Sequence, residues 1–275
     1  MKRQAALGAV LAIALAALGA MAAAERDLGN AGQFDDSPPA ATVAPRPGSA
    51  FMSPELQAMQ RDDMANPGML WVADGEALWR RPAGASERSC ASCHGAAEQS
   101  MRGVAARLPA FDAARRGAID LRQRIESCRQ DRQIDEPWPP ESQRSLSLEA
   151  YVAHQSRGMP IAPPDDPRLA AARERGRKLF EQRIGQLDLS CAQCHDANAG
   201  RRLGGSTIPP ADTSGYPVYR LEWQALGSLQ RRLRNCMSGV RAQPYEFGAQ
   251  ELIDLELHLN ARAEGVAVET PGVRP

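Results

Sequence analysis

The longest apolar stretch of the chain lies at its N-terminus, where two basic residues precede an almost unbroken Ala/Leu/Ile run. Small residues up to Ala24 fit the A-x-A cleavage pattern ahead of Glu25. The pattern predicts a secretory signal peptide over residues 1–24. An uncleaved membrane anchor is the alternative, because the run is almost long enough to span a bilayer. No later segment is as apolar, so we expect an exported mature protein without a membrane span, periplasmic in a Gram-negative cell.

Beyond this run, apolar positions recur in two series that match each other along the two halves of the chain. Each half has, in the same order, a helical segment with a glycine and an aromatic residue, a cysteine motif, an Arg-x-x-x-Cys segment and an amphipathic helix. The first half reads GEALW (Gly75–Trp79), LRQRIESC (Leu121–Cys128) and LEAYVAH (Leu148–His154). The second half reads GRKLF (Gly176–Phe180), LQRRLRNC (Leu229–Cys236) and LIDLELH (Leu252–His258). The match indicates an internal duplication, and it aligns His154 with His258.

The cysteine motif of each half has the spacing C-x-x-C-H. Its residues are Cys90, Cys93 and His94 in CASCH, and Cys191, Cys194 and His195 in CAQCH. This spacing attaches c-type haem, since two thiols on one helical turn form thioethers to the porphyrin while the adjacent imidazole reaches the iron. A thioredoxin-like redox pair would not need the histidines, and a four-thiolate zinc site would not need export. We therefore predict two covalently bound haem c groups.

The duplicated order resembles the monohaem cytochrome c fold, in which the first and last helices cross beside the haem edge. The glycine in the first helix of each half would let the two helices approach closely. The predicted fold is all-α, with two tandem cytochrome c-like domains over residues 51–160 and 161–275. The Pro-rich stretch PIAPPDDPRLA (Pro160–Ala170) is predicted to join them. Residues 25–50, which include GQFDDSPPAATVAPRPGS, are predicted to form an extended or flexible arm.

Composition narrows the classes of function. The chain has 33 basic and 33 acidic residues, so binding of nucleic acid through bulk charge is not expected. Its 21 prolines and 23 glycines indicate much irregular backbone between the helices.

The second axial ligand of each iron has several candidates. Met159 follows the first motif at a distance familiar for a methionine ligand, but the second half has no counterpart. His154 and His258 make bis-histidine ligation an alternative, although both fit better as ordinary residues of an amphipathic helix. Cys128 and Cys236 recur in both halves, so we favour thiolate ligation at both irons, with a Cys128–Cys236 disulfide as the alternative. Thiolate ligands would give both haems low potentials, which favours chemistry at sulfur over simple electron relay.

Two C-x-x-C-H motifs, a further cysteine after each and RLRNCMSG near the C-terminus resemble the SoxA family, the dihaem subunits of the periplasmic sulfur-oxidising (Sox) system. The resemblance covers roughly Met52 to Ala267. It implies L-cysteine S-thiosulfotransferase activity on thiosulfate. It also implies a heterodimer with a small monohaem SoxX-type cytochrome, and a SoxY-type carrier protein as the co-substrate.

The resemblance also implies roles for individual residues. His94 and Cys128 would be the axial ligands of the first haem. His195 and Cys236 would ligate the second haem, which is the active site in that family, and the cysteine is carried there as a persulfide. Arg232 would contact the substrate.

The Arg232–Cys236 pair also has a physical rationale. On a helix the two residues share one face, so the guanidinium would lower the pKa of the thiol and hold a sulfur oxyanion. Arg231, Arg234 and Arg241 would either add a positive field for an anion such as thiosulfate or form a solvated charged face. Arg124 repeats the position of Arg232 beside Cys128, so this arginine would alternatively stabilise a haem-bound thiolate or pair with a propionate.

Three other functions remain alternatives from the residues. The chain would be a non-enzymatic electron-transfer cytochrome if both thiolates only set redox potentials. It would be a thiosulfate dehydrogenase if it formed tetrathionate without a carrier protein. A dihaem peroxidase fits less well, because it needs an open iron and each haem here has a cysteine available.

Overall fold

A computed structural model describes residues 45–275 of the chain, and the predicted signal peptide and most of the predicted arm lie outside the described residues. Ten α-helices span this part: α1 Pro54–Arg61, α2 Met69–Arg80, α3 Cys90–His94, α4 Ala97–Ser100, α5 Leu121–Cys128, α6 Gln143–His154, α7 Ala170–Glu181, α8 Cys191–His195, α9 Leu229–Gly239 and α10 Gln250–Arg262. Seven short strands accompany them: β1 Ala110–Asp112, β2 Gly117–Ile119, β3 Arg202–Leu203, β4 Ser206–Thr207, β5 Val218–Arg220, β6 Ala225–Gly227 and β7 Gly272–Arg274. Helices dominate the described residues, but the prediction of an all-α fold is wrong because seven short strands are present.

The first and last helices of each half cross at a glycine. A Cβ atom on Gly75 in α2 would clash with the carbonyl oxygen of Ser147 in α6. A Cβ atom on Gly176 in α7 would clash in the same way with the carbonyl oxygen of Asp254 in α10. The close approach expected of these glycines is therefore present in both halves, where only hydrogen fits between the backbones.

The two crossings correct the predicted alignment of the last helices. Tyr151 lies against Gly75, and His258 occupies the same place against Gly176. His258 is thus the counterpart of Tyr151 and not of His154. The sequence alignment is wrong here because Leu, Glu and His recur along an amphipathic helix and match in more than one register. The contact with the glycine determines which residues of the two last helices correspond.

A β-hairpin precedes α5, which carries Cys128, and another precedes α9, which carries Cys236. In the first half β1 pairs with β2, and Asp112 lies opposite Gly117. In the second half β5 pairs with β6, and Arg220 lies opposite Ala225. Strand β7 joins the second hairpin in parallel with β5. The helices that follow are N-capped by side chains, with Asp120 forming a capping box at α5 and Ser228 accepting a hydrogen bond at α9.

Each hairpin packs against the opposite half. Tyr219 and Leu226 of the second hairpin belong to the apolar cluster built on α2 and α6. Ala118 of the first hairpin belongs to a cluster with Ile253 and Leu257 of α10. Leu226 and Leu257 are fully buried. The two halves therefore share their cores through the exchanged hairpins.

The described end of the predicted arm lies on the C-terminal half. Gly48–Phe51 is a 3-10 turn in which Gly48 and Ser49 are buried. The backbone nitrogen of Gly48 donates to Asp212 Oδ2 at 2.7 Å, and Ser49 Oγ donates to Glu269 Oε1 at 2.5 Å. These last residues are thus ordered against the domain surface. Within residues 45–275 no helix is both long and apolar enough to cross a membrane.

Candidate functional site

Both C-x-x-C-H motifs form a single helical turn that begins at a serine. Ser89 Oγ accepts a hydrogen bond from the backbone nitrogen of Ser92 at 3.0 Å, which starts α3. Ser190 and Gln193 form a reciprocal capping box at α8, with N–H···O distances of 3.1 and 2.9 Å. The turn places the two thiols and the histidine of each motif together, as covalent haem attachment requires.

The second motif faces the cysteine of α9. His195 and Cys236 lie within hydrogen-bonding reach of each other. The other side of the imidazole is fixed, because His195 Nδ1 lies 2.8 Å from the carbonyl oxygen of Pro209. A backbone carbonyl at Nδ1 is the usual way in which a protein orients a metal-binding histidine and leaves Nε2 for the metal.

The thiols of the second motif lie around the same point. Burial, together with the Cys236 thiol nearby, raises the pKa of Cys191 to about 11 and also raises the pKa of Cys194. Two attachment thiols, one imidazole and one further thiol are the donor set of a c-type haem with histidine and thiolate axial ligands. The residues present therefore fit this group.

The surroundings of Cys236 favour the ionised form of its thiol. Burial alone would raise the pKa of its thiol, but the hydrogen bond with His195 and the charges of Arg232 and Arg220 outweigh burial and hold the pKa below its usual range. The effect is mutual. Burial would lower the pKa of His195, yet the hydrogen bond and charge of Cys236 raise it overall. A low thiol pKa favours both metal binding and nucleophilic chemistry.

Arg232 lies one turn before Cys236 on α9, as its sequence position predicts. Burial opposes its charge, but the thiolate of Cys236 and the phenol of Tyr216 raise the pKa of the guanidinium above its usual value. Within residues 45–275 Arg232 has no carboxylate at ion-pair distance, so its charge is left for Cys236 or a ligand.

The sequence reasoning missed Arg220, whose charge also acts on Cys236. It is the last residue of β5, and its side chain is 13% exposed. A signal was present in the duplication: the hairpin registers align Arg220 with Asp112, so the two halves carry opposite charges at this position.

The first site has a different electrostatic setting. Cys128 lies near the first motif, and burial with the added effect of Cys93 raises the pKa of its thiol. Arg124 is the counterpart of Arg232, but its Nη1 forms an ion pair with Asp112 Oδ2 at 3.2 Å and its side chain is 54% exposed. The arginine of the first half is therefore neutralised by an acid.

Of the three arginines predicted to surround the site, Arg231 and Arg234 each lie against an aromatic ring of the described residues, and Arg241 does not. The guanidinium of Arg231 lies 4.0 Å from the ring centre of Trp223, and that of Arg234 lies 4.4 Å from the ring centre of Phe247. Arg241 is exposed.

The structure also places the other predicted ligand candidates. Met159 lies against Gly103, and His258 stacks on Phe180 with ring centres 5.3 Å apart, inside the helix crossing. His154 is partly buried at the end of α6, where burial and Arg157 lower its pKa. No disulfide joins Cys128 to Cys236, since Cys128 lies near the first motif and Cys236 near the second, so the disulfide alternative is wrong. Among the described residues no group of three or more His, Cys, Asp or Glu side chains is arranged to chelate a metal ion.

The SoxA/TsdA cytochrome c domain profile matches residues 74–161 and 175–268 of this chain. The chain is 34% identical to the L-cysteine S-thiosulfotransferase subunit SoxA of Rhodovulum sulfidophilum, over 83% of this chain and 80% of the relative. It is 31% identical to the SoxA subunit of Paracoccus pantotrophus, over 82% of this chain and 77% of the relative.

The fold is similar to a solved structure as well. The crystal structure of SoxXA from P. pantotrophus superposes with a TM-score of 0.80 and 31% sequence identity, covering 83% of this chain and 86% of that chain.

Proposed function

The chain belongs to the SoxA/TsdA cytochrome c family and, within it, to the SoxA subunits of L-cysteine S-thiosulfotransferase, and on that premise we propose that it joins thiosulfate to a carrier-protein cysteine at Cys236. The observation that carries the proposal is the contrast between the two leftover cysteines. Of these two thiols only Cys236 has a lowered pKa, because its hydrogen bond with His195 and the charges of Arg232 and Arg220 outweigh burial.

The family implies covalently bound haem c, and two such groups are proposed here. The thiols of the two motifs would form the thioethers. His94 with Cys128, and His195 with Cys236, would hold the two irons. When bound, the haem supplies a one-electron acceptor next to the reacting sulfur, and a cytochrome c is the acceptor beyond it.

In the first step the Cys236 thiolate forms a sulfur–sulfur bond with the terminal sulfur of thiosulfate. Thiolate and thiosulfate together carry three negative charges and the S-thiosulfonate product carries one, so two electrons leave. Arg232 holds the sulfonate oxygens by charge-assisted hydrogen bonds and keeps the two anions together. If Cys236 carries a persulfide, its outer sulfur takes the place of Sγ.

In the second step the thiolate of the carrier protein attacks the sulfur bonded to Cys236. The sulfane–sulfonate group passes to the carrier, and Cys236 leaves as a thiolate, so atoms and charge balance without an oxidant. The lowered pKa of Cys236 makes it a good leaving group in this exchange.

The partners and the compartment follow from the same proposal. The similar P. pantotrophus protein is described as SoxXA, which supports a heterodimer with a SoxX-type monohaem cytochrome. A SoxY-type protein would be the carrier. The predicted signal peptide and the haem motifs support a periplasmic location.

Cys236→Ala tests the proposal. The variant is expected to lose thiosulfate-dependent, carrier-dependent reduction of cytochrome c while it retains covalent haem, measured as pyridine haemochrome. Ser238→Ala, an exposed position on the same helix, is the matched control and should keep full activity. Appreciable turnover by Cys236→Ala would refute the mechanism. Formation of tetrathionate without a carrier would instead identify a thiosulfate dehydrogenase, and reduction of the haems only by other donors would identify an electron-transfer cytochrome.

A further inference from the structure

We propose that Arg220 is a second thiosulfate-binding residue of the Cys236 site, and that the change from Asp112 to Arg220 between the two hairpins decides which cysteine accepts thiosulfate. The inference rests on the proposed function of Cys236 and adds a residue that sets its specificity.

The two hairpins present opposite charges at one structural position. Asp112 ends β1 opposite Gly117, and Arg220 ends β5 opposite Ala225. The positions that follow match as well, because the same number of residues separates Asp112 from Arg124 and Arg220 from Arg232. The arginine of α5 or α9 is thus the same in both halves, but the hairpin residue that accompanies it is Asp112 in the first half and Arg220 in the second.

In the first half, Asp112 neutralises the charge of Arg124. Asp112 Oδ2 lies 3.2 Å from Arg124 Nη1, and the Asp112 side chain is only 11% exposed. A dianion that approached Cys128 would meet a carboxylate and an arginine that is already paired. Arg132 and Asp131 also act on Cys128 with opposite charges, so acids and bases are mixed around the first thiol.

In the second half the corresponding pair is two arginines. Burial lowers the pKa of Arg220, and the like charge of Arg232 lowers it further. Glu222 offsets part of this charge, with its Oε1 3.0 Å from Arg220 Nε, but its side chain is 53% exposed. A dianion bound between the two guanidiniums would relieve the repulsion.

The side chain of Arg220 is held in place for this role. Its guanidinium lies over the ring of Trp223 at 5.1 Å, and Arg231 lies over the same ring at 4.0 Å. The buried Nε of Arg220 forms no hydrogen bond within the described part of the chain, although Glu222 Oε1 lies 3.0 Å from it. The strand that carries Arg220 is also anchored, since Tyr219 packs on Trp71 of α2 with ring centres 5.6 Å apart. A guanidinium fixed in this way binds an anion with little loss of side-chain entropy.

The site then has a donor set suited to thiosulfate. The sulfonate end has three oxygens, enough for two forked guanidiniums, and the terminal sulfur remains directed at Cys236. The ligand class is a tetrahedral sulfur oxyanion with a free sulfane sulfur.

The test compares Arg220→Gln, Arg220→Lys and Arg220→Asp with Asp112→Asn in the haem-loaded heterodimer. We expect Arg220→Gln to raise the KM for thiosulfate by at least about tenfold, the effect of losing one charge-assisted hydrogen bond. Arg220→Lys should recover part of this loss, and Arg220→Asp should be worse than Gln. Asp112→Asn, the matched control in the first half, should keep the wild-type KM.

The haem absorption spectrum and the KM for the carrier protein separate binding from structure. Both should stay at wild-type values in Arg220→Gln. A thiosulfate KM within about twofold of wild type in Arg220→Gln, or a rise matched by an altered spectrum, would overturn the inference. Cys236→Ala is measured in parallel: if it is inactive while Arg220→Gln is normal, only the inference fails, and if it is active the proposed function itself fails.

Discussion

At the scale of single residues, the folded surroundings of each cysteine affect the pKa of its thiol more than the neighbouring residues in the sequence do. Cys128 and Cys236 each follow an arginine by one helical turn, yet burial raises the pKa of the first thiol while His195 and arginine charges lower that of the second. The largest part of the difference is the hydrogen bond of His195 with Cys236, to which the charges of Arg232 and Arg220 add, whereas burial and Cys93 prevail over Arg132 and Arg124 at Cys128. Identical local spacing therefore accompanies opposite pKa shifts of the two thiols.

The matched substitutions Arg232→Gln and Arg124→Gln test this contrast. Arg232→Gln should lower kcat/KM for thiosulfate by about tenfold to a hundredfold, since a hydrogen bond to a charged group is worth about 1.5–3 kcal/mol. Arg124→Gln removes a half-exposed ion pair and should leave kcat/KM nearly unchanged. Steady-state kinetics with the carrier protein checks both, and equal losses in the two variants would contradict the contrast.

At the scale of elements, the glycine crossings define the frame of each half. Gly75 and Gly176 bring the first and last helices into backbone contact, and buried Trp79 and Phe180 fill the space beside them. Trp79 also donates from Nε1 to the carbonyl oxygen of Gly95 at 3.0 Å, directly after the first motif. The crossing therefore positions the motif helix as well as the core.

Gly176→Ala should lower the free energy of unfolding by about 1–3 kcal/mol, because the new methyl group would overlap the carbonyl oxygen of Asp254 and the two helices must separate. Gly205→Ala is the control, since a Cβ atom there meets no atom within 4 Å. Chemical denaturation followed by circular dichroism measures both. Equal stability of the two variants would show that the helices can separate without cost.

At the scale of the whole molecule, one buried and two partly buried acids line a cavity between the two halves. Asp120, Glu149 and Glu256 line it together with Arg122. Burial, reinforced by the neighbouring carboxyls, raises the pKa of Glu149 to about 8 and that of Glu256 well above its usual value. Burial likewise raises the pKa of Asp120, against the opposing charge of Arg122.

These shifts predict that stability falls as the pH rises. Between the ordinary value of 4.5 and about 8, the folded protein keeps the Glu149 proton that the unfolded chain has released. The free energy of unfolding should therefore decrease through this window. Glu149→Gln should flatten the profile, while Glu264→Gln at an exposed position should not. Thermal unfolding of the haem-loaded protein from pH 5 to 8 measures this, and a profile that rises with pH would refute it.

The sequence by itself determined the parts of this protein that depend on short spacing. The thiols and histidine of each motif lie on one turn, Arg232 and Cys236 share a helix face, and the repeated segments reveal the duplication. These relations follow from helix geometry alone, so they could be predicted before any tertiary contact was known.

Only the tertiary structure decided the relations that cross between elements. The exchanged hairpins, the ion pair of Asp112 with Arg124, the approach of Arg220 to Cys236 and the register that matches Tyr151 with His258 all depend on how separate segments pack. Ion pairs and steric contacts act only between atoms that lie a few ångströms apart. Whether two segments remote in sequence come that close depends on how the folded core packs, and spacing along the chain does not determine it.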